Sequence, residues 1–233
     1  MTAREPGNKL VIFDCDGTLV DSQHIIIDAV RLAFESAGLA PVSDASVRSV
    51  VGLSPFESMV QLHPGAESSV HSQLEESFKR FYYNLRVEQA TGPDPLFEGT
   101  REALEALDNA GYLLGVATGN SKRGLDRVLA EHDLTDMFVT LQTADGHPSK
   151  PHPSMIHTAI AEAGADVADT VMIGDTSYDI TMSVRAGSHS LGVNWGYHSV
   201  VDLRAAGARH VATEFSEIPA LVQDWLGPIH TES

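Results

Sequence analysis

Two aspartates one residue apart, Asp14-Cys15-Asp16, follow directly on the apolar run Leu10-Val11-Ile12-Phe13. A carboxyl group with an ordinary pKa of about 3.9 is ionised at neutral pH, so Asp14 can attack phosphorus without a partnering base. The product of that attack is an acyl phosphate, which water then hydrolyses. Asp16 points back toward the same place while Cys15 points away. That placement suits a general acid for the leaving oxygen and, in the second half, a base for water. Thr118-Gly119-Asn120 end another apolar run, Asp175 and Asp179 follow a third, and Lys150 lies in the loop Pro148 to Pro153. Asp14, Asp175 and a dianionic phosphate cannot sit together unaided, because each like-charge pair at 4 Å costs roughly 4 kcal/mol at an effective dielectric of 20. A hard divalent cation resolves this, and all-oxygen ligands point to Mg²⁺ rather than Zn²⁺. Lys150 adds a second positive charge for the phosphoryl oxygens. Thr118, with the Gly119 and Asn120 amides at a helix N-terminus, makes an anion nest. Asp179, one helical turn beyond Asp175, is placed to hold metal-bound waters or Lys150.

A single aspartate at a strand end is more often a cap or turn former, so the argument rests on joint placement. Short apolar runs recur at Leu10 to Phe13, Tyr112 to Ala117, Phe138 to Thr140, Val171 to Ile173 and Leu191 to Val193. Strands buried on both faces read this way. Helical periods lie between them, at Glu102 to Ala110, Lys122 to His132, Met155 to Ala163 and Ile180 to Ala186. Three of these stop at Gly111, Gly164 and Gly187, where a helix end needs positive φ. Alternation at this spacing predicts βαβ units, a parallel sheet, and ligands beyond the carboxyl ends of its strands. From about Val20 to Asp94 the alternation breaks. Ile26, Val30, Ala33 and Ala37 share one helical face, and Leu74, Phe78, Phe81 and Leu85 share another. The expected class is α/β, a Rossmann-like core of residues 1–20 plus 96–233 with an all-helical cap of 21–95. Leu19 to Ser22 and Thr91 to Pro95 form its two-strand hinge.

Fifteen Lys and Arg against 32 Asp and Glu give a net charge of −17. That balance argues against nucleic acid and against an anionic membrane surface. A lone cysteine excludes an internal disulfide and fits a reducing compartment. The polar start and the lack of any long apolar stretch predict a soluble, cytoplasmic protein acting on a small molecule. The sequence leaves oligomeric state open.

Taken together, Asp14-Cys15-Asp16-Gly17-Thr18, Thr118, Lys150 and Gly174-Asp175-Thr176-Ser177-Tyr178-Asp179 resemble the four ordered motifs of the haloacid dehalogenase-like hydrolases. The resemblance covers almost the whole chain, including a helical cap between the first motif and the second. It implies a Mg²⁺-dependent phosphoaspartyl phosphatase, with metal held by Asp14, the Asp16 main-chain carbonyl and Asp175. Dehalogenases and phosphonate hydrolases of the family lack the second Asp of the first motif, so Asp16 favours a phosphate ester. The β-phosphoglucomutase branch usually carries a hinge His where Ile26 falls, and Lys and Arg around a loop that here reads Val51-Gly52-Leu53-Ser54-Pro55. The Leu19-Val20-Asp21-Ser22 continuation, the Gly52-Leu53-Ser54 loop and Trp195-Gly196 look most similar to phosphoglycolate phosphatase-like members. Mutase, pyrophosphatase and nucleotidase chemistry stand as alternatives within the family. Outside it, a phospho-accepting signalling domain uses similar residues, but in another order and without a helical cap. No G-x-S-x-G, G-x-x-x-x-G-K-[ST] or H-E-x-x-H motif is present.

Several other residues carry a plainer expectation. Cys15 reads as a buried filler, and His147 and His152 as loop structure. Arg48 reads as a solvated helix face and His24 as packing or solvent. Trp195 is balanced between closing over the site and packing elsewhere. The Phe78, Phe81, Leu85 stripe reads as cap core.

Overall fold

In the computed structural model, which describes residues 7–88 and 92–229, β1 (Asn8–Phe13) is buried from Leu10 onward. Its alternate residues feed opposite layers, as a pleated strand requires. Val11 and Phe13 join one apolar cluster, while Leu10 and Ile12 join another on the far face. Four helices follow: α1 (Gln23–Ser36), α2 (Asp44–Arg48), α3 (Pro55–Leu62) and α4 (Ser68–Glu88). The chain then continues through α5 (Thr100–Asn109), β2 (Leu113–Ala117), α6 (Lys122–Glu131) and β3 (Thr140–Gln142). It closes with α7 (Ser154–Ala163), β4 (Ala165–Gly174), α8 (Ser177–Ala186), β5 (His189–Val193), α9 (Val200–Ala206), β6 (His210–Ala212) and α10 (Ile218–Leu226). The strands form one parallel sheet in the order β3-β2-β1-β4-β5-β6. Strand order reverses beside β1. The chain winds outward through β2 and β3, then returns to the other side of β1 with β4. That reversal opens a crevice at the carboxyl ends of β1 and β4, where Phe13 pairs with Ile173.

The helices Val200–Ala206 and Ile218–Leu226 lie beyond the expected set, β4 is longer than expected, and two further strands differ for identifiable reasons. The third strand is Thr140–Gln142 rather than Phe138 to Thr140, because Phe138 packs into the core just after a 3-10 turn, Thr135–Met137. Its apolarity serves tertiary packing, not strand formation. The edge strand His210–Ala212 was not anticipated; at three residues it has almost no periodicity to show.

The helices α1 to α4 have a core of their own, with Ile27, Val30, Phe34, Val47, Met59 and Leu74 buried together and Phe78 packed against them. Phe81 departs from the expected stripe and lies under the Arg80 guanidinium instead. The chain enters and leaves this helical unit side by side. Asp21 N donates to Pro95 O at 2.9 Å, Phe97 N donates to Leu19 O at 3.0 Å, and Val20 bridges Leu96 in antiparallel fashion. Of the expected hinge, Thr91 lies outside the described residues. Among the described residues, no helix is long and apolar enough to cross a membrane.

Candidate active site

Asp14 sits at the first residue beyond β1, and its N–H still donates to Ile173 O at 2.9 Å, so the ladder with β4 fixes its backbone. Asp175 follows β4 in the neighbouring position. Asp179 lies in the first turn of α8, where it closes a capping box with Thr176. Its Oδ2 accepts from Thr176 N at 3.1 Å and from Thr176 Oγ1 at 2.6 Å. Lys150 reaches in from the β3–α7 loop, and its Nζ lies 2.8 Å from Asp14 Oδ1 and 2.7 Å from Asp179 Oδ1. The four groups are sealed from bulk water, none being more than 1% exposed.

Charge does not balance in this cluster. Burial alone would push the Lys150 ammonium toward its neutral form, but Asp14 and Asp179 outweigh it and hold the group protonated. Burial pushes the Asp14 carboxyl up; Lys150 opposes that, and Asp179 and Asp175 add to it. Asp175 is pushed up to about 7, first by burial and then by Asp179, with hydrogen bonds from Tyr197 N and Thr18 working the other way. Three carboxylates thus face one ammonium. Asp14, Asp175 and Asp179 each offer an oxygen within 4.8 Å of the others, and Asp14 Oδ2 is buried with no hydrogen-bond partner among the described residues. Hard oxygen donors with an uncompensated negative charge fit a divalent cation such as Mg²⁺.

Asp16 is oriented from two sides. Ser22 Oγ donates to its Oδ1 at 2.6 Å, and Asn120 Nδ2 donates to its Oδ2 at 3.1 Å. At the end of β2, Thr118 Oγ1 accepts from Asn120 N at 3.1 Å, which leaves the threonine hydroxyl proton free to donate elsewhere. The Asn120 amide is therefore already occupied, and among the expected nest groups Thr118 Oγ1 and Gly119 N remain. Asn120 contributes instead through its side chain. Gly119 has a packing reason: a Cβ there would fall 2.5 Å from Leu53 O, so only glycine lets the loop after α2 settle on this corner.

Sequence reasoning missed the groups that hold Asp175. Thr18 Oγ1 donates to its Oδ1 at 2.8 Å, and Tyr197 N donates to its Oδ2 at 2.8 Å. A Cβ on Gly196 would sit 2.2 Å from that same oxygen and one on Gly17 2.5 Å from it, so Gly17-Thr18 and Trp195-Gly196 carried the readable signal. The Tyr197 hydroxyl, 3.3 Å from Ser22 Oγ, ties this loop to the hinge.

The plainer expectations have definite outcomes. Cys15 is buried and burial pushes its thiol up, as do Asp16 and Asp14, so it is no nucleophile. His24 is exposed, and Arg48 Nε donates to Gln23 Oε1 at 2.7 Å. His147 bonds Ser154 Oγ and Gln142 Oε1, and Trp195 packs on Phe215 with its Nε1 donating to Thr18 O. None of these except Cys15 lies against the acidic cluster.

Asp14, Asp16, Thr118, Gly119 and Asn120 all open onto one cavity of about 300 Å³ between the sheet edge and the helical unit. Such a site can hold a phosphoryl group against the Asp14 carboxyl, a fixed ammonium and a hydroxyl, with a second carboxyl group nearby for proton transfer.

Comparison with known proteins agrees with this chemistry. The family model described as haloacid dehalogenase-like hydrolase matches residues 11–193. A relative from Dickeya dadantii (strain 3937), named "Probable phosphatase IndB", is 34% identical over 90% of this chain and 91% of its own length. A protein named phosphoglycolate phosphatase from Vibrio vulnificus (strain YJ016) is 28% identical over 90% of this chain and 94% of its own. A solved hydrolase from Pseudomonas syringae shares the fold with a TM-score of 0.81, at 23% identity, over 92% of this chain and 98% of that one. On the breadth of the model match and the 34% relative, the chain belongs to the haloacid dehalogenase-like hydrolases and is an enzyme of their phosphatase kind.

Proposed function

We propose that this protein is a Mg²⁺-dependent phosphatase that hydrolyses a small phosphorylated metabolite through an aspartyl-phosphate at Asp14. The observation that carries the reading is the unpartnered Asp14 Oδ2, buried at the floor of the cavity while Oδ1 is held by Lys150. An oxygen that is positioned and unbonded is the one available to attack. Asp14 and Asp175, with the Asp16 main-chain carbonyl, would hold the metal, and Asp179 would hold Lys150 in place. The cation, when bound, offsets the negative charge gathered by the carboxylates and the phosphoryl oxygens.

The chain's own residues account for the remaining steps. Lys150 and the Thr118 hydroxyl orient the phosphoryl oxygens as Asp14 forms its bond to phosphorus. The ester oxygen leaves with a proton from Asp16, whose orientation is set by Ser22 and Asn120. Asp16, now ionised, takes a proton from water as that water attacks the aspartyl-phosphate, which returns Asp14 and releases phosphate. The relatives named phosphoglycolate phosphatase support that ester as the reference substrate. Mutase chemistry is disfavoured by Ile26, which lines the cavity where an acid–base histidine would be needed.

The test is release of inorganic phosphate from p-nitrophenyl phosphate and phosphoglycolate with and without Mg²⁺, together with acid-quench mass spectrometry for phosphate on Asp14. Metal-dependent turnover and a phosphorylated Asp14 are expected. Turnover by Asp14→Asn at the wild-type rate would refute the mechanism.

A further inference from the structure

In a chain of net charge −17, the cavity in front of Asp14 is lined by more cations than acids. The acids are Asp14 and Asp16; the cations are Lys79 from α4 and Arg123 and Arg127 from α6. Two of the cations are already engaged. Lys79 Nζ lies 2.7 Å from Glu75 Oε1, and the Arg123 guanidinium stacks on the Tyr83 ring at 4.5 Å. Arg127 is different. Its side chain is partly exposed, yet Nε and Nη2 are buried and have no hydrogen-bond partner among the described residues. Glu131 Oε1 stands 3.6 Å from Nε, too far for a hydrogen bond. Nε and Nη2 form one edge of the guanidinium, the fork whose parallel N–H bonds grip a carboxylate or phosphate. A guanidinium keeps its charge when buried, so an edge without an acceptor has lost its hydration with nothing in return. Arg86 also approaches the Tyr82 ring, but its Nη2 is held by Asp94 and the Tyr82 hydroxyl, and it stands outside the cavity lining. Tyr82 ties the Arg127 end of the cavity to the reacting groups. The Arg127 guanidinium lies 5.8 Å from its ring, and its hydroxyl is pushed up by burial and then by Asp16.

We infer that Arg127 is a specificity-determining residue: its Nε and Nη2 receive a carboxylate at the far end of the leaving group, and so select the ester that is hydrolysed. The inference rests on the phosphatase reading and adds the residue that reads the rest of the substrate. With Lys79 and Arg123 engaged, one free fork suits one planar, two-oxygen acceptor and leaves no surplus cation for a second dianionic phosphate. The cavity, at about 300 Å³, stands at the lower end of the roughly 300–1,000 Å³ typical of small-molecule sites. A phosphoryl group, a short spacer and a carboxylate fit that size. Glu131 lies outside the lining, where it tempers the Arg127 charge without occupying the fork.

The experiment uses the full chain with Mg²⁺ and two pairs of esters, phosphoglycolate with its carboxamide and 3-carboxypropyl phosphate with its carboxamide. The members of a pair match in size and differ by one charge. In at least one pair the carboxylate should be preferred by about tenfold or more in kcat/KM, carried by KM. Arg127→Met keeps the stem and removes the fork, and should pull that ratio toward one. Arg127→Lys keeps the charge without the fork and should recover only part of the ratio. Glu131→Gln removes the carboxylate beside Nε and should raise the ratio a few-fold, which a guanidinium that only braces α6 would not do. Thermal melting of each variant separates lost binding from lost fold. A ratio near one in both pairs overturns the inference and leaves the phosphatase reading standing. So does a ratio unmoved by Arg127→Met or, where that chain does not fold, by Glu131→Gln. Absence of Mg²⁺-dependent hydrolysis of every ester overturns both.

Discussion

The sheet edge and the helical unit face each other across one cavity and are held by opposite physics. At the sheet edge, Asp14, Asp16, Asp175 and Asp179 are held by Lys150, Ser22, Asn120, Thr18, Thr176 and the Tyr197 amide at defined distances. On the opposite side, Val30, Val47 and Met59 are packed into the apolar core of the helical unit and make no such bonds. Directed bonds fix where atoms go, which a reaction needs. Apolar packing fixes only that the helices stay together beside the site. The two sides are thus held independently, and mutations on them should fail in different ways.

The sharpest test of that separation is Asp14→Asn. It removes the attacking anion, and kcat should fall by about four orders of magnitude or more for every ester alike. Lys150→Met attacks the same side through stability. Asp14 and Asp179 would be left buried without their cation, at a cost of about 3 kcal/mol or more in urea unfolding. A Lys150→Met chain as stable as wild type would mean that the carboxyl groups are not ionised together in the native state.

Asp16→Ala should cost about 10²- to 10⁴-fold on alkyl phosphates. With p-nitrophenyl phosphate, whose leaving oxygen needs no proton, the loss in the first-turnover burst of p-nitrophenolate should be much smaller, while phosphate release stays slow because Asp16 is also the base for water. Equal losses would make Asp16 a positioning residue for its neighbours and not a proton donor.

How far these two sides could be read from sequence differs for a physical reason. Asp14, Thr118 and Asp175 end apolar runs, and a parallel sheet carries the ends of its strands to one edge, so their meeting was legible once the runs were found. The groups that hold them were not. Ser22, Asn120 and Tyr197 act from loops whose direction no periodicity encodes, and the Asn120 amide, expected to bind anions, is spent on Thr118 Oγ1. The helical side was hidden for another reason. A helical stripe reads the same whether it closes a core or lines a cavity, and Val30, Met59 and Phe78 do both.

Titration offers a measure of the charged side alone. With its carboxyl pushed up to about 7, Asp175 in the metal-free protein keeps a proton that the unfolded chain loses at about 3.9. Between those values the folded state binds more protons, so this group's contribution to stability falls as pH rises. Asp14 is shifted in the same direction. A cation must displace those protons, so Mg²⁺ should raise the melting temperature more at pH 8 than at pH 5.5. An equal rise at both would place the metal away from Asp14 and Asp175.

The smallest expected effect concerns the contact between the two sides. The Tyr178 hydroxyl, at the start of α8 beside Asp175, donates to Ser49 O at 2.9 Å and lies 3.2 Å from Gln61 Oε1. Ser54 N donates to Ser149 Oγ at 2.8 Å, next to Lys150. These bonds join the helical unit to the core close to the reacting groups without touching them. A single such bond is worth about 1 kcal/mol, or roughly fivefold in an opening equilibrium. Tyr178→Phe keeps the ring against His198 and removes only the bond. If that bond favours the closed arrangement, KM for the preferred ester should rise a few-fold while kcat holds, or rises where opening limits product release. A fall in kcat at unchanged KM would instead mean that Tyr178 sets the geometry of the Asp175 turn, and that the two sides are not separable there.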